Sequence, residues 1–247
     1  MVKLQQKERL DKLLSNLGYC SRQSVKGLLR EERIKRRNED KLRFDDHVSS
    51  EEISFDGEQL DPRSLVLMLN KPSGYSCTFS SDEGETVYDL LPPRYSHRNP
   101  KLSCVGRLDR DTTGILLLTD DGELLHRIVS PSHHVPKIYE AKLSRPLKGG
   151  EAELFRSGTI ILEEETEPLK PVELEVISST HVRITMTEGK YHQVRRMFGA
   201  VGNFVEALTR VRIGALELGE MEEGQYCILD EDKISRIWAA SANASAR

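Results

Sequence analysis

Between Gly106 and Gly122 the chain reads Gly106-Arg107-Leu108-Asp109-Arg110-Asp111-Thr112-Thr113-Gly114-Ile115-Leu116-Leu117-Leu118-Thr119-Asp120-Asp121-Gly122. Carboxylates, two glycine turns and an apolar run share a short space. Asp109 falls where a polar loop meets the strand-like stretch Ile115 to Leu118. A carboxylate at such a junction is held rigidly and partly dry, which favours chemistry by an otherwise weak nucleophile. Asp109-x-Asp111-x-Thr113 has the spacing of an aspartyl phosphatase nucleophile followed by its acid. Asp109, Asp111, Thr113, Gly114 and Asp120 also fall at positions 1, 3, 5, 6 and 12 of an EF-hand calcium loop. Each reading meets an obstacle. The calcium loop needs flanking helices, yet Pro100, Ser103 and Gly106 precede it, Ile-Leu-Leu-Leu-Thr fills its second half, and Asp120 replaces the longer bidentate Glu. The phosphatase needs a long buried strand ending at its first Asp, and Arg107 interrupts it. The plainest alternative is a strand and turn with solvated Asp caps.

Other motifs narrow the choice. Leu69-Asn70-Lys71-Pro72-Ser73-Gly74 ends a buried-type strand in a tight turn. Ser130-Pro131-Ser132-His133-His134-Val135-Pro136-Lys137-Ile138-Tyr139 carries a Lys-x-Tyr step. Glu188-Gly189-Lys190-Tyr191-His192-Gln193-Val194-Arg195-Arg196-Met197-Phe198 is followed by Leu208-Thr209-Arg210-Val211-Arg212-Ile213-Gly214. With Gly106-Arg107-Leu108-Asp109, this ordered set resembles the small-subunit ribosomal RNA pseudouridine synthase A family over nearly the whole chain. His133-His134 before Lys137, and Leu169-Lys170-Pro171, look like the small-subunit enzymes rather than their large-subunit relatives.

The resemblance implies an isomerase that breaks the glycosidic bond of a uridine, turns the base and rejoins its C5 to the same ribose. That reaction transfers nothing elsewhere, so no cofactor and no metal are expected. Asp109 takes the nucleophile position, and Arg195 the position that pairs with it, since a nearby cation favours the charged form of a desolvated carboxylate. Tyr139 takes the place of an active-site Tyr that stacks on the base and offers its hydroxyl for proton movement at C5. Leu208 is expected beneath the site, excluding water. The target base must leave its stack, at a cost of a few kcal/mol. Arg107 is placed to fill the vacated space, its plainer role being a salt bridge to Asp111 or Asp120. Lys71, Lys190, Arg196 and Arg210 are candidate phosphate contacts, which position RNA without reading it. His133, His134 and His192 are expected in local hydrogen bonds or RNA contact rather than as a metal set, because adjacent residues on a strand face opposite ways.

The elements that must carry these residues can be sketched. Leu10, Leu13, Leu14 and Leu17 form one helical face, stopped by Gly18. Ser21 caps a second helix that buries Val25, Leu28 and Leu29 and displays Arg22, Lys26 and Arg30. Ile34 and Phe44 belong to short strands, and Val48 to Phe55 alternates. This order, with Arg9-Leu10-Asp11-Lys12 and Ser21-Arg22, resembles the αL RNA-binding module of RNA-modifying enzymes. Beyond Leu29 the pattern departs: Glu31-Glu32-Arg33 replaces the usual Gly, and residues 35–41 are highly charged. Arg9, Lys12, Arg22, Lys26 and Arg30 are that module's candidate RNA contacts. Asp61-Pro62-Arg63-Ser64 reads as a linker. Strands are expected over residues 65–69, 172–177 and 182–186, a solvated hairpin tip over 163–167 and a helix over 191–201. No regular βαβ repeat appears, so the expected class is α+β: an αL module over 1–61, then a catalytic domain over 62–247 with a mixed, largely antiparallel sheet flanked by helices.

Composition sets the outer bounds. The chain has 247 residues, 37% of them hydrophobic, and a net charge of −4. No apolar run approaches the roughly 18 residues that span a bilayer, and Met1 to Arg9 shows no apolar leader, so a cytoplasmic protein is expected. Cys20, Cys77, Cys104 and Cys227 lie far apart, which fits reduced structural thiols rather than a zinc site. Residues 1–43 carry 13 Lys and Arg against 6 Asp and Glu; residues 44–61 carry 7 acids and no Lys or Arg. Such asymmetry steers a polyanion to one surface, or else marks a solvated face. The expected partner is small-subunit ribosomal RNA or its assembly intermediate. No obvious exposed apolar stripe is present, which fits a monomer. The competing functions are modification of large-subunit or transfer RNA, a non-catalytic assembly factor, and an Asp109/Asp111 phosphotransferase.

Overall fold

A computed structural model describes residues 7–80, 82 and 84–239. The first six residues, part of the stretch without an apolar leader, lie outside the described residues. Two compact units are present. One runs to Leu65 and takes in Leu91–Ser103 and Thr119–Asp121; the other comprises Val66–Leu90, Cys104–Leu118 and the chain from Gly122 on.

The first unit contains strand β1 (Glu8–Arg9), helices α1 (Leu10–Asn16) and α2 (Val25–Arg30), strands β2 (Ile34–Arg36), β3 (His47–Val48), β4 (Ile53–Phe55) and β5 (Glu58–Gln59), and the short helix α3 (Pro93–Ser96). Leu10, Leu13, Leu14 and Leu17 are buried together with Val25, Ile34, Val48 and Ile53, the face their spacing predicts. Gly18 follows α1 with φ +83°, and a Cβ there would stand 2.0 Å from the Arg94 carbonyl oxygen, so only glycine fits. Three local expectations are corrected. The N-cap of α2 is Ser24; Ser21 instead stabilises the preceding turn, its Oγ accepting from Ser24 N at 3.3 Å. Phe44 lies in a turn rather than a strand, with Lys26 Nζ 4.2 Å from its ring centre. Residues 61–64 are no free linker. Asp61 accepts from Arg94 Nε at 2.8 Å, and Arg98 donates to Pro62 O, Arg63 O and Asp120. The Arg98–Asp120 pair is almost fully buried at 2.6 Å. Arg98 Nη2 offsets part of the desolvation by reaching two carbonyls as well as the carboxylate, while Nη1 is buried without a hydrogen-bond partner.

The second unit is built on a sheet of nine strands. These are β6 (Val66–Lys71), β7 (Ser103–Val105), β8 (Thr113–Thr119), β9 (Lys137–Leu143), β10 (Glu173–Val176), β11 (His181–Met186), β12 (Val205–Ile213), β13 (Leu216–Glu217) and β14 (Tyr226–Ile228). The main order is β10-β11-β9-β12-β8-β6-β14. β12 runs parallel to β8 and antiparallel to β9; β10–β11, β11–β9 and β14–β6 are also antiparallel. Helices α4 (Gly122–Val129), α5 (Glu151–Ser157), α6 (Gln193–Ala200) and α7 (Glu231–Arg236) complete the α+β architecture. One core gathers Val182, Ile184, Met186, Ala141, Leu143 and Leu208 with Phe155 of α5 and Met197 and Phe198 of α6. A second gathers Val66, Met68, Ile115, Leu117 and Ile213 with Ile128 of α4 and Ile237. The split follows the two-residue period of the strands, odd positions of β8 facing the second core.

Two further expectations fail here. His133 and His134 sit in a 3₁₀ turn and a left-handed residue, not on a strand, so the opposite-faces argument does not apply. Residues 163–167 join no pair of strands and are not simply solvated: Glu165 is drawn onto Lys190 at 2.9 Å and Arg196 at 3.3 Å.

Candidate active site

One cleft of the second unit is lined by Arg107, Leu108, Asp109, Thr112, Tyr139, Met186, Gly189, Lys190, His192, Gln193, Val194, Arg195 and Leu208. Asp109 lies in the loop between β7 and β8, and its carbonyl accepts from Thr112 N at 3.1 Å, closing a tight turn. Its carboxylate is 27% exposed, between a buried and a freely solvated acid. Two buried cations of this unit fix the loop. Lys71, at the end of β6, is fully buried and donates to Pro72 O, Arg110 O and Thr112 O at 2.9–3.0 Å. Arg210, on β12 and 2% exposed, donates to Ile115 O at 2.7 Å and Gly106 O at 3.0 Å. Lys71 and Arg210 are therefore corrected from phosphate contacts to internal braces, because both are buried and bonded to backbone carbonyls within the fold. Burial holds the Lys71 ammonium below its ordinary range. Gly114 belongs to the same construction. It pairs with Arg210 across the parallel β8–β12 ladder at φ +98°, and a Cβ would lie 2.2 Å from Arg210 O.

Helix α6 supplies the opposite wall. Arg195 Nη1 donates to Val205 O at 2.9 Å, which fixes the guanidinium. Its Nε stands 3.9 Å from Asp109 Oδ2, and its Nη2 2.7 Å from Asp111 Oδ2. Both nitrogens are buried without an aligned hydrogen-bond acceptor. The guanidinium thus faces the carboxylates with donors that are dehydrated and not fully used. Asp111, 63% exposed, is its closer carboxylate partner. Tyr139, on β9, is half-buried, with its hydroxyl 3.5 Å from Arg210 Nη1. Leu208 is 5% exposed and joins the floor of the cleft to the core below. Arg107 is exposed at the mouth. The carboxylates first considered as its partners are engaged elsewhere, Asp111 by Arg195 and Asp120 by Arg98. The same facts dispose of the calcium loop: Asp120 is spent on a buried ion pair and residues 113–119 are a strand.

His192 emerges as a site residue that spacing alone does not single out. It is the N-cap of α6 at φ +47°, and its Nε2 stands 3.3 Å from Asp109 Oδ1, nearer than Arg195. A non-glycine residue in this conformation is held there by its surroundings. Gln193, 3% exposed, supplies them: it accepts from Lys190 N at 2.8 Å and donates to Glu188 at 2.7 Å. Stacking on Tyr191 at 3.8 Å sets the ring. No periodic signal marks it, because a left-handed residue ahead of α6 falls outside the helical repeat. Lys190 lies at the rim and shares Glu165 with Arg196, which also donates to the carbonyls of Tyr191 and Glu163.

In the first unit, Arg9, Lys12, Arg22, Lys26 and Arg30 are all exposed. Arg9 is engaged with Asp11 at 3.0 Å and Lys12 with Glu8 at 3.4 Å.

Comparison with known proteins adds an independent line. Residues 65–200 match the family model described as RNA pseudouridylate synthase. A ribosomal small subunit pseudouridine synthase A of Escherichia coli is 44% identical over 191 residues, covering 75% of this chain and 80% of its own. That of Haemophilus influenzae is 40% identical over 236 residues, covering 93% and 99%. A solved structure described as a pseudouridylate synthase superposes with a TM-score of 0.66 at 38% identity, covering 93% of this chain and 99% of its own.

Proposed function

This chain belongs to the RNA pseudouridylate synthase family and is an RNA pseudouridine synthase; we propose that it isomerises a uridine of small-subunit ribosomal RNA, with Asp109 as nucleophile and without a cofactor. The observation that carries this reading is the convergence of Asp109, Arg195, Tyr139, Leu208 and Arg107 on a single cleft. Relatives that match nearly end to end are named for the small subunit, which supports that target.

The uridine is extruded into the cleft and Arg107 takes its place in the RNA. Asp109 attacks, the bond between N1 and C1′ breaks, and the freed base turns. C5 then bonds to C1′ and the bond to Asp109 breaks, restoring the carboxylate; the C5 proton leaves and N1 regains one, so the product is an isomer of the substrate. Arg195 stabilises the carboxylate and the charge that develops around it, with dehydrated donors already aimed. Tyr139 supports the base with its ring and relays the C5 proton with its hydroxyl. Leu208 keeps water from the floor. Lys190 and Arg196 exchange Glu165 for phosphate when RNA arrives. Residues 1–61 act as an RNA-binding module, residues 62–247 as the catalytic domain, and the protein works as a cytoplasmic monomer.

Precursor small-subunit RNA labelled at uridine C5, naked or as an assembly intermediate, tests the proposal. Release of label from one site is the expected result. Release only from large-subunit or transfer RNA would reassign the target, and no release from any of them would refute the catalytic reading.

A further inference from the structure

Tyr191 is 71% exposed, more than any other large hydrophobic side chain among the described residues. It stands beside the catalytic cleft. Gly189, Lys190, His192 and Gln193 around it line the cleft, and Tyr191 itself does not. One face of its ring lies on the His192 imidazole, with centroids 3.8 Å apart and planes 23° from parallel. His192 in turn brings Nε2 to 3.3 Å from Asp109 Oδ1. The backbone under the ring is tied down. Gln193 accepts from Lys190 N at 2.8 Å, and Arg196 Nη1 donates to Tyr191 O at 3.2 Å. The ring is therefore presented in a set place, one face used and the other open to solvent.

We propose that Tyr191 is the stacking platform for an unpaired nucleobase next to the target uridine, so that a base–Tyr191–His192 column holds the RNA beside the cleft. A ring that only buttressed His192 would need one face, and the fold leaves the second uncovered. A nucleobase is the flat, weakly polar surface that an RNA substrate offers to such a face. Extrusion of the uridine deprives its neighbour of a stacking partner, and Tyr191 returns one. The charge that must accompany a base is also at hand. Lys190 and Arg196, one before and five after the ring in sequence, share Glu165 at 2.9 and 3.3 Å. An aromatic face interleaved with cations is how proteins hold single strands.

The platform does not choose among bases, because each of them has a π-face. It chooses by pairing state. A nucleotide locked in a duplex cannot turn its face to Tyr191, so the site favours RNA whose uridine has an unpaired neighbour, as in a loop or a partly assembled subunit. The ordered backbone adds to this, since little freedom is lost when the base settles on a ring already in place.

This inference rests on the RNA substrate proposed above, and the test separates the two. Affinity for small-subunit RNA is measured with the full chain carrying Asp109→Asn, so that binding is read without turnover. Adding Tyr191→Ala should raise Kd roughly fivefold to a hundredfold. Tyr191→Phe and Tyr191→Trp should stay near the parent, and Tyr191→Leu, with apolar bulk and no π-face, should resemble Ala. In the chain with Asp109 intact, Tyr191→Ala should raise KM more than it lowers kcat. An RNA fragment with 2-aminopurine on the 5′ or 3′ side of the uridine should lose fluorescence on binding the parent, and less on binding Tyr191→Ala. Unchanged Kd in Tyr191→Ala, with or without a fall in kcat, would overturn the platform and leave the ring as a buttress for His192. Full affinity in Tyr191→Leu would overturn stacking. Loss of affinity only for the protein-bearing assembly intermediate would put a protein on this ring and overturn the base. A chain that binds RNA through Tyr191 yet releases no label with Asp109 intact speaks against the catalytic reading alone.

Discussion

The floor and the rim of the cleft use the same residue types for opposite purposes. Beneath the floor, Lys71 and Arg210 are almost wholly buried and bonded to carbonyls of the Asp109 loop and of β8. At the rim, Lys190 and Arg196 are 24% exposed and share one acid, Glu165. A buried ammonium with its donors filled by backbone cannot trade partners without leaving several carbonyls unsatisfied in low dielectric. A partly exposed cation on a carboxylate trades at less cost, because water and phosphate both compete for it. The floor therefore fixes geometry and the rim can meet a polyanion. Cation count says nothing about which role a residue plays; partners and depth decide it.

Mutations can break this contrast, beginning with the largest effect. Lys71→Met should destabilise the protein by about 3–5 kcal/mol, since three buried carbonyl bonds lose their donor. Urea unfolding measures it, and a change within experimental scatter would remove Lys71 from the floor. Gly114→Ala should cost about 3 kcal/mol, through positive φ and a backbone clash that pries β8 from β12. Lys137 extends the floor in a pH-dependent way. Burial, with Arg210 and Lys170 nearby, brings it from 10.5 down to about 8. Between those values the unfolded chain binds more protons than the folded one, so the wild type gains stability as pH rises and forfeits it as pH falls through 8. Lys137→Met should flatten that slope and be more stable than the wild type at pH 7, with the advantage gone by pH 10.5. Parallel unfolding curves at every pH would contradict this. The smallest effect belongs to the rim. Glu165→Gln should tighten RNA binding a few-fold and steepen its salt dependence, by releasing two cations for phosphate. Unchanged affinity and slope would show that the rim does not meet RNA.

Periodic elements were legible because their signal is local. The Leu10–Leu17 face, the strands near 65–69, 172–177 and 182–186, and the helix before residue 201 all came from spacing of apolar residues. Arg107, Asp109, Tyr139, Arg195 and Leu208 were picked from motifs and lie together in one cleft. The roles of Lys71 and Arg210 were not legible, since all their carbonyl partners but Pro72 lie 39 to 104 positions away. His192 was missed for a different reason. Its approach to Asp109 depends on a left-handed backbone residue, locked by Gln193 and Glu188, that has no periodic signature. Phe44 and Ser21 were misplaced because turns at the ends of short elements shift by a few residues without changing the pattern.

The central claim is that Asp109 reacts while the floor only holds it. Asp109→Asn keeps the shape of the side chain and removes its charge, and single-turnover assay on C5-labelled small-subunit RNA reads the result directly. The account predicts label release reduced by roughly four orders of magnitude or more, with RNA affinity and unfolding stability close to wild type. Release at a comparable rate from the folded, RNA-bound variant would contradict it.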